Sequence, residues 1–179
     1  WTGIQIDTTG KAVLERVRVV ACGTNAVQVG AAATMELNRS ILEQSLASGL
    51  HTFTGATVQV RHSFIRNNNK AGLFFRGGNV EVKNSILESA GTGGFAYYLT
   101  GSGTLVSDYN NIRASEGAYV AGGDNRVSDR FLIDWQRSSA RDMSSFGYAA
   151  NFADEAGYDF HLQSEHGRFD PATAMWTND

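Results

Sequence analysis

One short pattern recurs along most of this chain: a small residue, an apolar residue, any residue, and a second, usually apolar, residue. The small residue of each copy is one of Gly3, Ala26, Gly49, Gly72, Gly94 and Gly117. Successive copies are separated by 23, 23, 23, 22 and 23 positions. A nearly constant period of this length predicts one supersecondary unit that stacks on copies of itself.

Each period contains two further short runs with strand character. The second run starts about ten residues after the small residue and alternates between apolar and polar side chains, a pattern typical of strands. Its leading apolar residues are Val13, Met35, Val58, Val80, Val106 (or Leu105) and Val127. A third apolar pair such as Ile41-Leu42 completes the unit, and turn-forming pairs such as Thr54-Gly55 separate the runs. Three strands in each period predict one coil of a β-solenoid.

A leucine-rich repeat has a similar period but requires a helical return. No stretch of twelve residues here has the i, i+3, i+4, i+7 stripe of such a helix. The sequence therefore predicts an all-β parallel solenoid of about six coils of 22–23 residues in residues 1–133. Residues 134–179 are predicted to be an irregular C-terminal capping segment of the same domain.

The chain resembles the right-handed parallel β-helix proteins typified by pectate lyases. The opening Trp1-Thr2-Gly3-Ile4 and residues 80–89 are similar to coils of that family. Trp135, Asp142 and residues 157–164 resemble the closing segment of large secreted bacterial β-helix proteins. The resemblance implies a right-handed parallel β-helix in a secreted or cell-surface protein of bacterial origin. It does not imply an activity, because this scaffold hosts lyases, hydrolases, adhesins and inert stalks.

Composition narrows the classes of partner. The net charge of −3 gives no support to a nucleic-acid partner, and no segment reads as a membrane span or signal peptide. Twenty Gly residues and one Pro suit stacked parallel strands, because each coil needs the backbone N–H groups of the next. Since Trp1 already begins a coil, we expect a mature product or an excised piece. Further coils or a second copy are expected at its N-terminal end.

Stacking places equivalent residues of successive coils in lines about 4.8 Å apart. The first line, on the second strand of each coil, is predicted to contain Arg16, Asn38, Arg61, Lys83, Tyr109 or Asp108, and Arg130. Such a line suits an acidic polysaccharide, and Lys83 and Arg61 are candidates for the centre of a uronate β-elimination. The alternative, which we favour, is a solvated face whose cations pair with the parallel line Glu36, Gln59 and Glu81.

Two other lines carry polar or aromatic groups. Glu43, Arg66, Glu88 and Arg113 alternate in charge on the third strand, as expected of residues that set the register. The third line follows the first strand of each coil and contains Gln5, Gln28, His51, Phe74, Ala96 and Tyr119, with Tyr97, Tyr98 and Trp135 as extensions. Aromatic rings beside amides are suited to hold sugar rings, so we expect glycan contacts along this line.

Several catalytic sets are missing from the sequence. No two or three carboxylates converge on neighbouring coils as a glycoside hydrolase requires, and the four His residues lack metal-ligand spacing. No cofactor and no metal site is predicted. The fold is compatible with a structural calcium ion, but no motif indicates one.

The sequence therefore favours a non-catalytic module of a secreted or cell-surface protein that binds glycans or serves a structural role. The candidate glycan-binding residues are Arg16, Arg61, Lys83, Arg130, His51, Phe74 and Tyr119. One alternative is the catalytic domain of a polysaccharide lyase, which is the expected class if the chain is an enzyme. Another is a self-assembling extracellular fibre or stalk subunit.

Overall fold

The computed structural model of the chain describes residues 1–154, 159–162, 168–170 and 175–177. It divides into two compact units, Trp1–Tyr148 and Ala149–Asp179. Part of the segment 157–164 that carries the resemblance lies outside the described residues. No helix in the described ranges combines the length and apolar character needed to cross a membrane.

The first unit winds through five complete coils of three strands each. Coils one to three contain β1 (Ile4–Ile6), β2 (Lys11–Glu15), β3 (Arg18–Val20), β4 (Val27–Val29), β5 (Thr34–Asn38), β6 (Ile41–Glu43), β7 (Ser48–Thr52), β8 (Thr57–Arg61) and β9 (Phe64–Arg66). Coils four and five contain β10 (Ala71–Phe75), β11 (Gly78–Lys83), β12 (Ile86–Ala90), β13 (Phe95–Leu99), β14 (Gly103–Asp108) and β15 (Asn111–Ser115). The chain continues through β16 (Tyr119–Gly123), β17 (Arg126–Asp129) and the helix α1 (Leu132–Ser139).

The strands form three parallel sheets that enclose the core. Sheet A contains the first strand of every coil together with β16 and β17, sheet B contains the second strands, and sheet C contains the third strands. The predicted parallel solenoid is therefore confirmed, with five complete coils and the first strand of a sixth. The sixth coil is not completed because β17 turns back through Asp124 and Asn125 and pairs antiparallel with β16. Val127, predicted to lead a sixth second strand, lies on β17 and is 87% exposed.

The main core column agrees with the prediction in the first four coils only. Ile4, Val27, Leu50 and Leu73 pair in register, as expected. The next members are Tyr97 and Ala121, and the predicted Phe95 and Ala118 lie elsewhere in the register. The cause is a longer turn. Ile86 pairs with Phe64, 22 positions earlier, whereas Phe95 pairs with Ala71, 24 positions earlier.

The second strands show a similar correction. Met35, Val58 and Val80 are buried as predicted, and Leu105 rather than Val106 continues their column. At the other end of the column Ala12 pairs with Met35, while Val13 is 65% exposed. Alternation along a strand sends neighbouring residues to opposite faces, so an error of one position exchanges core for solvent.

The small residue of the repeat has a packing cause. A Cβ atom on Gly49 would lie 2.5 Å from Cγ2 of Ile65, and one on Gly3 would lie 2.6 Å from Cγ1 of Val19. Ile65 and Val19 belong to sheet C, which here approaches the backbone of sheet A. The recurring small side chain therefore marks the place where these two sheets come closest.

A left-handed residue forms each corner between sheets B and C. Arg16, Arg39, His62, Asn84 and Tyr109 all have φ between 47° and 59° and follow a second strand directly. One residue in this conformation redirects the backbone without a longer loop. The corner explains why Arg16 leaves the face of sheet B.

Beyond the last coil, α1 presents one fully buried side chain, Trp135, whose ring centroid lies 5.7 Å from that of Tyr97. The start of the predicted irregular capping segment is thus helical. In the second unit, two antiparallel pairs are formed by β18 (Phe152–Asp154) with β19 (Asp159–Leu162) and by β20 (Arg168–Asp170) with β21 (Met175–Thr177).

Candidate functional site

The outer face of sheet B carries fewer aligned cations than the sequence predicted. The line that contains Arg61 and Lys83 continues through Glu15, Asn38 and Asp108. The predicted members at both ends are displaced. Arg16 occupies a corner, and Arg130 follows β17, which belongs to sheet A.

Arg61 and Lys83 share one carboxylate. Glu81 lies 2.8 Å from the guanidinium of Arg61 and 3.5 Å from the ammonium of Lys83. The hydrogen bond from Arg61 holds the pKa of Glu81 below its usual value, against an opposing effect of burial, and the charge of Lys83 adds to the lowering. This geometry is the one expected of a solvated face whose charges neutralise one another.

The charged line on sheet C is in register over its whole length. Glu43, Arg66, Glu88 and Arg113 are consecutive partners, so the long turn in the fifth coil does not displace Arg113. The fully buried carboxylate of Glu43 accepts hydrogen bonds from Arg66 at 2.8 Å and Arg18 at 2.7 Å. These contacts belong to the framework of the fold.

The outer face of sheet A carries a different line from the one predicted. Gln5, Gln28, His51 and Phe74 pair in register as expected, and Tyr98 is the next member. Ala96 is buried in the core. Gly122 follows Tyr98 in this line, and Tyr119 pairs with Phe95, three positions earlier on each strand. The two-residue lengthening that shifts the core column accounts for the replacement of Ala96 by Tyr98. One further residue in the next coil moves the last member from Tyr119 to Gly122.

Six rings on this face form a continuous series of contacts, which we call the aromatic ladder. Its members are His51, Phe53, Phe74, Phe95, Tyr98 and Tyr119. His51 stacks on Phe53 and on Phe74 with centroid distances of 4.5 Å in both cases. Phe74 then meets the edge of Tyr98 at 5.2 Å.

The ladder continues to the last strand of sheet A through Phe95. Its centroid lies 4.9 Å from that of Tyr98 and 5.3 Å from that of Tyr119. Every ring except His51 is partly exposed. The ladder therefore offers aromatic surface to solvent across four neighbouring strands, β7, β10, β13 and β16.

Two exposed cations flank the ladder at the ends of β10. The ammonium of Lys70 lies 4.6 Å from the ring centroid of Phe74 and 4.8 Å from that of Tyr98. The guanidinium of Arg76 lies 5.3 Å from the centroid of Phe53. Neither cation forms an ion pair within the described part of the chain.

Sequence reasoning overlooked Lys70 and Arg76 because it followed residues inside strands, and these two lie at strand ends. A usable signal was nevertheless present. The segment Lys70 to Arg76 places one cation immediately before and one immediately after a buried strand that carries Phe74 outward. Phe53 was also overlooked, and it joins the site through its ring contact with His51. Tyr98, expected as an extension of the line, joins it through the register with Phe74.

His51 is held as a neutral imidazole. Its Nδ1 lies 3.3 Å from the amide nitrogen of Asn25, which also donates to Gln28. An amide N–H requires an acceptor, which assigns the ring hydrogen to Nε2. Burial lowers the pKa of His51 to about 4, with further contributions from the charges of Arg76 and Lys70.

An open pocket of about 430 Å³ lies beside the ladder. It is lined by Phe53, Thr54, Phe74, Arg76, Thr100, Gly101 and Asp124. The hydroxyl of Tyr98 donates to Asp124 at 2.5 Å, and this hydrogen bond is the main reason that the pKa of Tyr98 is raised. The pocket thus combines aromatic surface with one cation and one carboxylate.

The arrangement is suited to binding. Asp124 is the one carboxylate among the pocket-lining residues, whereas glycoside hydrolysis uses two that face each other. Within the ranges that the structure describes, no three His, Cys, Asp or Glu side chains gather as metal ligands. Partly exposed rings with polar groups at their margins are suited to stacking and hydrogen bonding.

Comparison with protein families gives one match that covers most of the chain. The model of the right-handed β-helix region matches residues 2–130. Comparisons with curated proteins and with solved structures found no match. The matched range contains all fifteen strands of the five coils, the aromatic ladder and the pocket. The chain therefore belongs to the right-handed β-helix family.

Proposed function

We propose that this chain is a glycan-binding module of an extracellular or cell-surface protein, and that it binds an extended acidic polysaccharide along the outer face of sheet A without cleaving it. The observation that carries the proposal is the aromatic ladder with Lys70 and Arg76 beside it. Partly exposed rings, cations without an ion pair in the described part of the chain and a polar pocket occur together on this face.

The ladder supplies the apolar part of such a contact. Sugar rings present C–H groups on their faces, and aromatic side chains bury this surface efficiently. The ladder runs across the strands, because its rings belong to the neighbouring strands β10 (Phe74), β13 (Phe95 and Tyr98) and β16 (Tyr119). A chain of several sugar units lying along the solenoid axis would contact them in turn.

The free cations supply the preference for acidic glycans. Lys70 and Arg76 carry charges that no carboxylate neutralises in the described part of the chain, in contrast to Arg61 and Lys83, which share Glu81. Arginine is well suited to bind a carboxylate through two parallel hydrogen bonds. An acidic glycan therefore gains ionic contacts on sheet A that the chain itself leaves unmade.

The geometry supports a lyase less well. Uronate β-elimination needs a base at the C5 proton and a cation at the carboxylate. Arg61 and Lys83, the candidates for that role, are occupied by Glu81. On sheet A the candidate base is His51, and its Nε2 is buried.

The proposal is tested by passing the purified chain over immobilised uronate-containing polysaccharides while unsaturated product is followed by ultraviolet absorbance. We expect retention without product. Lys70→Ala, Arg76→Ala and Phe74→Ala are expected to reduce retention, and the exposed Lys11 on sheet B provides the matched control Lys11→Ala.

The remaining outcomes separate the alternatives. Unsaturated product would contradict the non-catalytic role, and its loss in Lys83→Ala would place a lyase centre on sheet B. Retention that depends on Lys83 but not on Arg76 would move the binding face from sheet A to sheet B. Neither retention nor product would favour a fibre or stalk subunit.

A further inference from the structure

We infer that Asp124 is a specificity-determining residue of the binding face, and that it selects sugar units with two adjacent free hydroxyl groups. The inference rests on the proposed glycan-binding function and adds to it a rule for which sugar units the pocket accepts. It depends on the positions of Asp124 and Arg76 on one pocket and on the hydrogen bond from Tyr98.

Asp124 and Arg76 have opposite charges and line the same pocket, yet they do not form an ion pair. Both side chains are exposed, and none of their charged atoms approach within 4.0 Å. Opposite charges that border a pocket without contact leave a space between them that a polar ligand can bridge. Phe53 and Phe74 line the same space with aromatic surface.

The carboxylate of Asp124 is oriented and retains acceptor capacity. The hydroxyl of Tyr98 donates to its Oδ1, which holds the group beside the ladder. An ionised carboxylate offers about four acceptor positions, and Tyr98 uses one of them. The other oxygen can accept hydrogen bonds from two neighbouring hydroxyl groups, which a vicinal diol supplies at suitable spacing.

A hexuronosyl unit carries groups that complement both charges of the pocket. Its carboxyl group on C5 and its hydroxyls on C2 and C3 project from opposite sides of the sugar ring. With the ring over Phe53 and Phe74, the carboxyl group reaches Arg76 while the diol reaches Asp124. The aromatic side chains and the two charges thus define one orientation of the unit.

The same carboxylate acts against ligands that lack the diol. A ligand that shields the Asp124 carboxylate from water without donating to it loses binding free energy, and Asp124 also repels the negative charge of an acidic glycan. A unit whose hydroxyls are acetylated keeps this repulsion and loses the compensating hydrogen bonds. Asp124 therefore favours sugar units with a free diol and disfavours units whose hydroxyls are acetylated.

The test compares two probes by titration calorimetry: a galacturonic acid hexamer with free hydroxyls and the same hexamer acetylated on O2 and O3. For the free hexamer, we expect Asp124→Asn to weaken binding about tenfold, the usual effect of losing hydrogen bonds to a charged group. For the acetylated hexamer, we expect Asp124→Asn to bind more tightly than the unchanged chain. The exposed Glu36 on sheet B gives the matched control Glu36→Gln, with no change for either probe.

Asp124→Asn is expected to change the affinities for the two hexamers in opposite directions, so the inference can be tested separately from glycan binding itself. If the unchanged chain binds both hexamers equally, or if Asp124→Asn shifts both affinities in the same direction, the role of Asp124 is wrong while glycan binding stands. If the unchanged chain binds neither hexamer nor any other acidic glycan, the proposed function itself fails and the inference falls with it.

Discussion

The indole Nε1 of Trp135 donates a hydrogen bond of 2.9 Å to the carboxylate of Asp142, and both side chains are fully buried. Asp142 also accepts hydrogen bonds from Ser107, Asn110 and Ser145. The helix after the last coil is thereby joined to sheet B and to the corner that follows it. The Trp135 and Asp142 positions carried the resemblance to a closing segment, and this contact gives that pattern a physical basis.

Asp142→Asn should destabilise the first unit strongly. The amide keeps the size of the carboxylate but turns an N–H group toward donors, so at least one of the four hydrogen bonds is lost in a buried site. Hydrogen bonds to charged groups contribute about 1.5–3 kcal/mol each, and we expect a loss of about 2–3 kcal/mol. Urea denaturation followed by circular dichroism measures the loss. The exposed Glu116 provides the control Glu116→Gln, and an equal midpoint for the two variants would contradict the structural role of Asp142.

Glu43→Gln tests the buried ion pairs of sheet C. The carboxylate contacts both Arg66 and Arg18, and the side chain of Arg66 is only 6% exposed. Removing the carboxylate from a buried ion pair costs about 3–5 kcal/mol. Thermal and urea denaturation should both report this loss.

The partly exposed Glu81 on sheet B provides the comparison for the buried Glu43. Glu81→Gln removes contacts to Arg61 and Lys83, but these side chains are 45% and 36% exposed. Exposed pairs contribute about 0–1 kcal/mol, so the midpoint should barely move. Similar losses of stability for Glu43→Gln and Glu81→Gln would show that the different burial of the two carboxylates does not set their contributions to stability.

His51 makes the stability dependent on pH. Its pKa in the folded chain is about 4, below the value of 6.5 expected when the chain is unfolded. Between these values the unfolded chain binds more protons, so acidification from pH 7 to pH 4.5 lowers the free energy of unfolding. Above about pH 7 the imidazole is neutral in both the folded and the unfolded chain, so His51 no longer makes the free energy of unfolding depend on pH.

We expect this loss to be about 2 kcal/mol once solvent screening is taken into account. His51→Gln repeats the residue found at Gln28 in the same line and removes the titrating group. Its stability should therefore fall less on acidification than that of the unchanged chain, as measured by urea denaturation at a series of pH values. Parallel profiles for the two proteins would mean that His51 is not the group responsible.

Glycan binding on sheet A should depend on salt through Lys70 and Arg76. The Debye length falls from about 10 Å at 0.1 M to about 3 Å at 1 M salt, which screens contacts between exposed charges. The double variant Lys70→Ala, Arg76→Ala should bind acidic glycan about tenfold more weakly at low salt. Its affinity should also change less with added salt, as titration at several salt concentrations would show. An unchanged salt dependence would place the ionic contacts elsewhere.

The sequence predicted the fold well because the repeat is a consequence of stacking. The alternation in β8 and β11 and the small residues at Gly3, Gly49 and Gly72 each reflect a local steric requirement that every coil meets again. The site was predicted only in part. His51 and Phe74 lie on the ladder, whereas Arg16 and Arg130 leave their predicted line.

The amino-acid sequence by itself determined the parallel solenoid, the period of its first four coils and the first four residues of its main core column, because period and alternation are local properties of the chain. Only the tertiary structure decided the register after Glu88, where two additional residues in one turn exchange Phe95 for Tyr97 in the core. It also decided which cations are free. Stacking of neighbouring coils brings the carboxylate of Glu81 to Arg61. Within the described residues it brings no carboxylate into ion-pair contact with Arg76.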